Sequence, residues 1–231
     1  LIREEGFESV NLDLIFAIPG QNEARLKEDI RQAAQLGPDH LSTYCLTFEE
    51  DTALFVQLSE GKVALDVELE TCLYLTCWEE LERLGYEQYE ISNFARRGKQ
   101  CLHNVNTWKM DQWIGLGPSA ASQFRGRRYS NVPDLDRWLE GVKANHPNLI
   151  DQSDLNEALL LEDALIFGLR MSDGVDLNEL QERFGRKLTR SQSKTIEALE
   201  SDGKLRKSGG RIRLTKAGRL LSDAVGRTLM V

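Results

Sequence analysis

A histidine, two tryptophans and a run of glycines stand close together in one stretch of this sequence. Residues 103–122 read HNVNTWKMDQWIGLGPSAAS, in a chain with three histidines and four tryptophans. The imidazole of His103 can coordinate a metal ion, and the indoles offer flat aromatic faces. Gly115 and Gly117 allow the backbone to approach a ligand closely. These residue types leave two alternatives open, a ligand site or a well-packed corner of a core.

Asp13 is a second residue whose chemistry stands out. It interrupts an apolar run, residues 10–17, which predicts a buried parallel strand. In α/β folds the side chains at the carboxyl ends of such strands face the ligand. A carboxylate is costly to bury without a partner, so either a ligand hydroxyl or an arginine is expected beside it. A structural salt bridge is the alternative.

The segments around Asp13 predict a βαβ unit. The strand over residues 10–17 is followed by a helix that Asn22 caps and Gly37 ends, and residues 40–47 form the next strand. Parallel strands joined by a helix indicate an α/β barrel or a doubly wound sheet. A long helix from Asp66 to Leu84 and a third strand over residues 86–92 are expected next.

The pattern changes near residue 150. Helix starts are predicted at Asp154 with Glu157, Asp176 with Glu179, Ser191 and Thr215. Ser208, Gly209 and Gly210 predict a hairpin turn between two short strands. Three helices followed by a hairpin is the order of a winged helix. We therefore predict two domains, residues 1–150 and 151–231.

Composition and charge limit the classes of protein. No apolar run approaches the roughly 20 residues that cross a bilayer, and no secretory signal opens the chain. The net charge is −8, of which residues 179–231 contribute +7, so residues 1–178 sum to −15. Cys45, Cys72, Cys77 and Cys101 lack zinc or disulfide spacing, which predicts buried free thiols in a reducing cytoplasm. Because the sequence begins at Leu1 rather than methionine, we expect a fragment.

Five motifs carry a resemblance to a known family. NLDLIFAIPGQ, HLSTYCLTFEEDT, YEISNFAR, CLHNVNTW and GLGPSAAS occur in this order over most of the chain. Together they resemble radical S-adenosylmethionine (SAM) proteins of the HemN/HemW group, and the heme-chaperone branch more than the coproporphyrinogen III oxidase branch. The resemblance implies the C-terminal part of a partial (β/α) barrel, which holds SAM and a 4Fe-4S cluster. A small winged-helix-like domain follows it.

The resemblance also implies which residues touch SAM. Asp13 matches the acidic residue that contacts the ribose, and Thr47 and Ala121 match residues lining the adenosine. Gly115 and Gly117 would let the backbone approach the cofactor, although a plain turn is the alternative. The family's cluster motif, C-x-x-x-C-x-x-C, is absent from this sequence. No cluster ligand is therefore assigned to any of the four cysteines.

A heme site is implied at the histidine segment. The heme-chaperone branch carries H-N-x-x-Y-W, which here becomes His103, Asn104 and Trp108 with Thr107 in place of the tyrosine. An imidazole can serve as an axial ligand of heme iron, which makes His103 the expected ligand, and either Trp108 or Trp113 could stack on the porphyrin. The alternative has the imidazole hydrogen-bonded in a loop and the indole in the core. His40 and His146 are interpreted as structural.

The resemblance therefore predicts a heme chaperone of the cytoplasm, which binds a tetrapyrrole and passes it to an acceptor apoprotein. It leaves open whether that acceptor is associated with a membrane. Oxidation of coproporphyrinogen III is the alternative. A nucleic-acid-binding winged helix is a third interpretation, supported by the basic tail and opposed by the acidic remainder. No nucleic acid is expected as a partner.

Overall fold

The computed structural model describes residues 2–230, so the first residue of one predicted domain and the last of the other lie outside it. The fold is mixed α/β, as predicted. Contacts divide the chain into two compact units, Leu1–Cys101 and Leu102–Val231. Within the described residues, no helix is both long and apolar enough to cross a membrane.

The first unit contains the predicted βαβ arrangement. Its elements are β1 (Asn11–Phe16), α1 (Glu23–Gln35), β2 (His40–Cys45), α2 (Ala53–Ser59), α3 (Val67–Arg83), β3 (Glu87–Gln88) and β4 (Asn93–Ala95). The sheet order is β1-β2-β4-β3. Strands β1 and β2 pair in parallel from Asn11 opposite His40 to Phe16 opposite Cys45. The predicted parallel pair is therefore confirmed.

Local signals set the ends of the helices in this unit. The Asn22 side chain accepts a hydrogen bond from the Arg25 amide and caps α1, as predicted. Gly37 follows α1 with a φ of 69°, a conformation that glycine adopts without strain. Helix α3 agrees with the predicted span, and Asp66 caps it. One side of the sheet is covered by fully buried apolar side chains, Phe16, Leu26, Ile30, Leu73 and Leu81.

The predicted third strand over residues 86–92 is wrong in its extent. Only Glu87–Gln88 is a strand, and the chain then turns back as β4, antiparallel to both β3 and β2. The buried Glu90 carboxylate stabilises the turn, because its Oε1 accepts from the Ser92 amide at 2.8 Å and from Asn93 Nδ2 at 2.5 Å. A carboxylate that accepts hydrogen bonds from its own turn thus lies where the predicted continuous strand ends.

The second unit holds two three-stranded antiparallel sheets and seven helices within the described residues. Its elements are α4 (Leu102–Trp108), β5 (Ala121–Phe124), β6 (Arg127–Asn131), α5 (Leu135–Lys143), β7 (Leu149–Asp154), α6 (Glu157–Gly168), β8 (Val175–Asp176), α7 (Leu177–Phe184), α8 (Arg190–Ser201), β9 (Leu205–Ser208), β10 (Arg211–Leu214), α9 (Lys216–Leu220) and α10 (Ser222–Leu229). The sheet orders are β5-β6-β7 and β8-β10-β9.

The tail has the predicted order of three helices followed by a hairpin. Helices α6, α7 and α8 precede β9 and β10, which pair antiparallel across Gly209 and Gly210. Both glycines have positive φ, as the tight turn requires. Strand β8 adds a third strand on the other side of β10. This is the winged-helix-like arrangement expected from the sequence.

Two predicted caps differ from the structure, and the predicted domain boundary falls within a strand. Asp154 belongs to β7, and Asn156 caps α6 by accepting from the Leu159 amide. Thr189 rather than Ser191 caps α8, in a capping box with Gln192. A boundary between residues 150 and 151 would cut β7, which pairs with β6 as far as Asp154. Caps at Asp176 and Thr215 are confirmed.

Candidate functional site

The face of the β1-β2 pair that carries Asp13 is polar at its start and continues to the exposed Ile15 and Tyr44. Register places Asn11 opposite His40 and Asp13 opposite Ser42, and alternate residues of a strand share a face. Asp13 is exposed, whereas His40 and Ser42 are 4% and 3% exposed. The intervening β1 residues are apolar and end in the fully buried Phe16. The two strands therefore bury apolar side chains on one face and carry a hydrogen-bonded polar group at the start of the other.

Hydrogen bonds join these polar side chains into a chain that ends at Asp13. Asn11 Nδ2 donates to Asp13 Oδ1 at 2.7 Å, and His40 Nδ1 lies 2.7 Å from Asn11 Oδ1. His40 Nε2 lies 2.8 Å from the hydroxyl of Tyr89. The Ser42 hydroxyl donates to Asn11 Oδ1 at 3.2 Å. Buried side chains thus hold the exposed carboxylate of Asp13 in one orientation through Asn11.

Sequence reasoning did not assign Asn11 or Tyr89 to this site, and it interpreted His40 as structural only. A signal was present in the strand pattern. Asn11 and Asp13 alternate with apolar residues at the two-residue period of a strand with one buried face. The contact with Tyr89 joins residues 49 positions apart in sequence, so it became visible only with the fold.

Asp13 and Thr47 differ slightly from their expected places. Asp13 is the third of six residues in β1 rather than lying near its carboxyl end. Thr47 is exposed and follows the last residue of β2 by two positions. Both side chains are accessible, and their roles toward SAM stay predictions.

His103 lies on the short helix α4 with an exposed side chain. Within residues 2–230 its imidazole has no hydrogen-bond or ion-pair partner, which leaves both ring nitrogens accessible. Thr107 stands one turn later, and its hydroxyl donates to the His103 carbonyl oxygen at 2.9 Å. The alternative of an imidazole hydrogen-bonded within a loop therefore does not describe this residue.

Trp108 and Asn104, on the same helix, are half-buried. The Trp108 ring lies 6.0 Å from the ring of Phe167, and the guanidinium of Arg170 lies 4.8 Å from its centre. These contacts match the packing alternative for this indole. Stacking on heme stays a prediction for Trp108, and it would require its neighbours to move.

The glycines of GLGPSAAS have a structural explanation within the second unit. A Cβ atom on Gly115 would lie 2.3 Å from the Ala121 carbonyl oxygen, so only glycine fits there. Gly117 has a φ of 105°, and its carbonyl oxygen accepts from Asn131 Nδ2 at 2.8 Å. Ala121 itself is exposed at the start of β5. Close packing of the chain on itself accounts for Gly115, and ligand approach remains a prediction for all three positions.

The four cysteines are free thiols, but only Cys77 is buried as predicted, while Cys72 is exposed. Burial raises the pKa of Cys45 to about 11 and that of Cys77 to about 12. Both thiols are therefore protonated in this fold near neutral pH. Among the described residues, no group of three or more histidine, cysteine or acidic side chains could hold a metal ion.

Comparison with known proteins gives consistent matches. The model of the HemN C-terminal domain matches residues 155–221. The heme chaperone HemW of Bacillus subtilis is 31% identical over 96% of this chain and 59% of its own length. HemW of Mycobacterium tuberculosis is 35% identical over 98% of this chain and 56% of its own length. The solved structure of the Escherichia coli radical SAM enzyme HemN, coproporphyrinogen III oxidase, superposes with a TM-score of 0.75 at 20% identity, over 98% of this chain and 56% of that one.

The chain is HemW-like in sequence and HemN-like in fold. It spans a little over half the length of the HemW relatives that it matches. The HemN C-terminal domain begins one residue after β7 ends, at 155. The tail domain predicted over residues 151–231 therefore contains the matched domain of this HemW-like chain. The boundary between residues 150 and 151 remains a prediction, and the pairing of β7 with β6 does not favour it.

Proposed function

We propose that the protein containing this HemW-like chain is a heme chaperone, which binds heme and passes it to an acceptor apoprotein. The observation that carries the proposal is the relatedness of nearly the whole chain to proteins named heme chaperone HemW. The exposed imidazole of His103 supports it, because an accessible ring nitrogen is what an axial ligand of heme iron must offer. Asn104 and Trp108 would support that segment rather than coordinate the metal.

We further propose that Asp13, Thr47, Gly115, Gly117 and Ala121 contribute to a SAM site. The exposed carboxylate of Asp13 fits the group, because vicinal ribose hydroxyls donate to an anchored carboxylate. SAM bound at a 4Fe-4S cluster supplies radical chemistry or a regulatory state. No group of three or more candidate ligands stands together among the described residues, so the cluster ligands would come from the part of the relatives that this chain does not span.

Titration with hemin tests the chaperone proposal. The complete protein should develop a Soret band with hemin, and His103→Ala should weaken or shift that band. His146→Ala is the matched control, because His146 is also exposed and lies in the same unit. If His103→Ala and His146→Ala leave the same spectrum and affinity as the original protein, heme is held elsewhere.

Oxidation of coproporphyrinogen III is the second candidate, and the HemN-like fold is the observation that favours it. Fold likeness alone does not carry an activity. The reaction products separate the two functions: the oxidase would form protoporphyrinogen together with 5′-deoxyadenosine and methionine. A chaperone would transfer heme to an apoprotein without forming protoporphyrinogen.

We propose no nucleic acid partner, and a cytoplasmic location. The acidic residues 1–178 oppose binding to a polyanion, although the tail is basic. Four free cysteines suit a reducing compartment. Whether the heme acceptor is associated with a membrane is answered by fractionating cells after crosslinking to the complete protein.

A further inference from the structure

The hydrogen bonds behind Asp13 have a fixed direction. An ionised carboxylate only accepts, so Asn11 must present its amide nitrogen to Asp13 and its oxygen to His40. The Nδ1 atom of His40 must therefore carry a proton and donate. Burial lowers the pKa of His40 more than the charge of Asp13 raises it, so the ring is neutral. Its Nε2 atom then accepts, and Tyr89 donates.

The two ends of this series of hydrogen bonds differ in their exposure to solvent. His40 and Tyr89 are 4% and 5% exposed, and His40 is held within the sheet by its strand pairing with Asn11. Asp13 is exposed, and only its Oδ1 atom is engaged, by Asn11. Its Oδ2 atom has no hydrogen-bond partner within residues 2–230. One carboxylate oxygen is thus fixed and the other is available.

We propose that Asn11, His40 and Tyr89 are positioning residues, which hold the Asp13 carboxylate so that Oδ2 accepts from a ligand hydroxyl. The inference rests on the proposed role of Asp13 toward the SAM ribose and assigns three further residues to it. We call the hydrogen bonds from Tyr89 through His40 and Asn11 to Asp13 the relay. Without the relay the carboxylate would rotate about its side-chain bonds, and ordering it on binding would cost affinity. Tyr89 acts through His40 and Asn11 and does not touch the ligand.

The first test is the affinity of the complete protein for SAM, measured by calorimetry. Tyr89→Phe should weaken binding by about threefold to tenfold, because one hydrogen bond of the relay is lost. Tyr86→Phe is the matched control: Tyr86 is 1% exposed and donates to the Pro38 carbonyl oxygen at 2.9 Å, outside the relay. Equal affinity losses in the two variants would overturn the positioning role.

A second variant and a spectroscopic readout on the unmodified protein keep the test from depending on Tyr89→Phe alone. Asn11→Ala removes the link next to Asp13 at an exposed position and should weaken SAM binding at least as much as Tyr89→Phe. The ¹⁵N shifts of His40 in the original protein at pH 7.5 should show a protonated Nδ1 and an unprotonated Nε2. A protonated Nε2 would overturn the assigned direction.

Asp13→Ala separates failure of the relay from failure of the SAM assignment. It should weaken SAM binding by about tenfold to a hundredfold, since a charge-assisted bond is lost. An unchanged affinity would remove the ribose role and with it the purpose of the relay. If Asp13→Ala weakens binding while Asn11→Ala and Tyr89→Phe do not, the carboxylate binds the ligand without help, and only the relay is wrong.

Discussion

The guanidinium of Arg183 binds the backbone of Lys109, with Nη1 2.7 Å from the carbonyl oxygen. Its Nη2 atom also donates to the Met110 carbonyl oxygen at 2.9 Å and to Asp111 Oδ1 at 3.0 Å. Arg183 belongs to α7 in the winged-helix-like tail, and residues 109–111 follow the histidine helix α4. One side chain therefore fixes the position of the tail relative to the segment proposed to bind heme.

Removing this side chain should destabilise the second unit. Arg183→Met is expected to lower the free energy of unfolding by about 1 to 2 kcal/mol, because charge-assisted hydrogen bonds to two carbonyl oxygens are lost, of which the one to Met110 is part-buried. Denaturant melts measure the change. Arg186→Met is the control, since the Arg186 side chain is exposed and has no ion-pair partner within residues 2–230. Equal losses would show that the Arg183 contacts contribute no stability.

The tail should depend on residues that precede it. Asp163 on α6 is paired with Arg128 on β6 at 2.9 Å, and Phe167 packs against Trp108. We expect a polypeptide of residues 102–231 to melt cooperatively, and one of residues 155–231 to melt at a lower temperature. Circular dichroism on heating compares them. Identical melting temperatures would instead support an independent tail domain, as the sequence pattern predicted.

The sequence predicted elements well where one local signal decided them. Asn22, Asp66 and Thr215 cap helices as expected, because each side chain binds an amide within its own first turn. The wrong predictions of helix caps arose where two nearby residues could each cap the same helix. Asn156 stands two residues after Asp154, and only the pairing of β7 with β6 decides that Asp154 belongs to a strand. Such pairings depend on residues distant in sequence, which local patterns do not report.

The candidate site was predicted unevenly for the same reason. Asp13 and His103 are both accessible, as a ligand site requires, because β1 exposes Asp13 in the first unit and α4 exposes His103 in the second. The indole of Trp108 is instead engaged by Phe167 and Arg170, about 60 positions later in sequence. No pattern within residues 103–122 could have indicated those neighbours.

The free energy of unfolding should fall as the pH drops below 6.5, because His40 is buried in its neutral form. Burial lowers its pKa below 6.5, so the folded state keeps the ring neutral while the unfolded chain takes up a proton as the pH falls through 6.5. The unfolded state then binds more protons, and the free energy of unfolding falls by at most about 1.4 kcal/mol per pH unit. This loss of unfolding free energy ends once the pH is below the pKa of His40 in the folded state. Above pH 6.5, His40 does not make the free energy of unfolding depend on pH.

Denaturant melts between pH 5 and 8 measure this effect. His40→Gln should reduce the slope between pH 5 and 6.5, whatever its effect on overall stability. Asp13 is the charged group that acts on His40, so Asp13→Asn should lower the pKa of His40 further and steepen the loss. His146→Gln serves as the control at an exposed histidine. A slope that survives in His40→Gln would assign the acid sensitivity to other groups.

Thr107 should limit heme binding in this chain, because its hydroxyl is engaged within α4 and is a poor ligand for iron. It donates to the His103 carbonyl oxygen at 2.9 Å, and an aliphatic hydroxyl is far harder to deprotonate than a phenol. Residues four apart on a helix are neighbours, so Thr107→Tyr would place a phenol one turn from the imidazole of His103.

We expect Thr107→Tyr to tighten hemin binding by the complete protein by about threefold to tenfold, the value of one added hydrogen bond or weak ligand. Titrations followed at the Soret band measure it. Thr107→Phe adds the ring without the hydroxyl and should tighten binding less, which separates polar from apolar contact. In a His103→Ala background the gain from Thr107→Tyr should shrink if both side chains act on one heme, because neighbouring contributions are not additive. An equal gain from Thr107→Phe would mean that the added ring, and not its hydroxyl, contacts heme, whereas weaker binding by Thr107→Tyr would mean that heme does not bind at the face of α4 carrying His103 and Thr107.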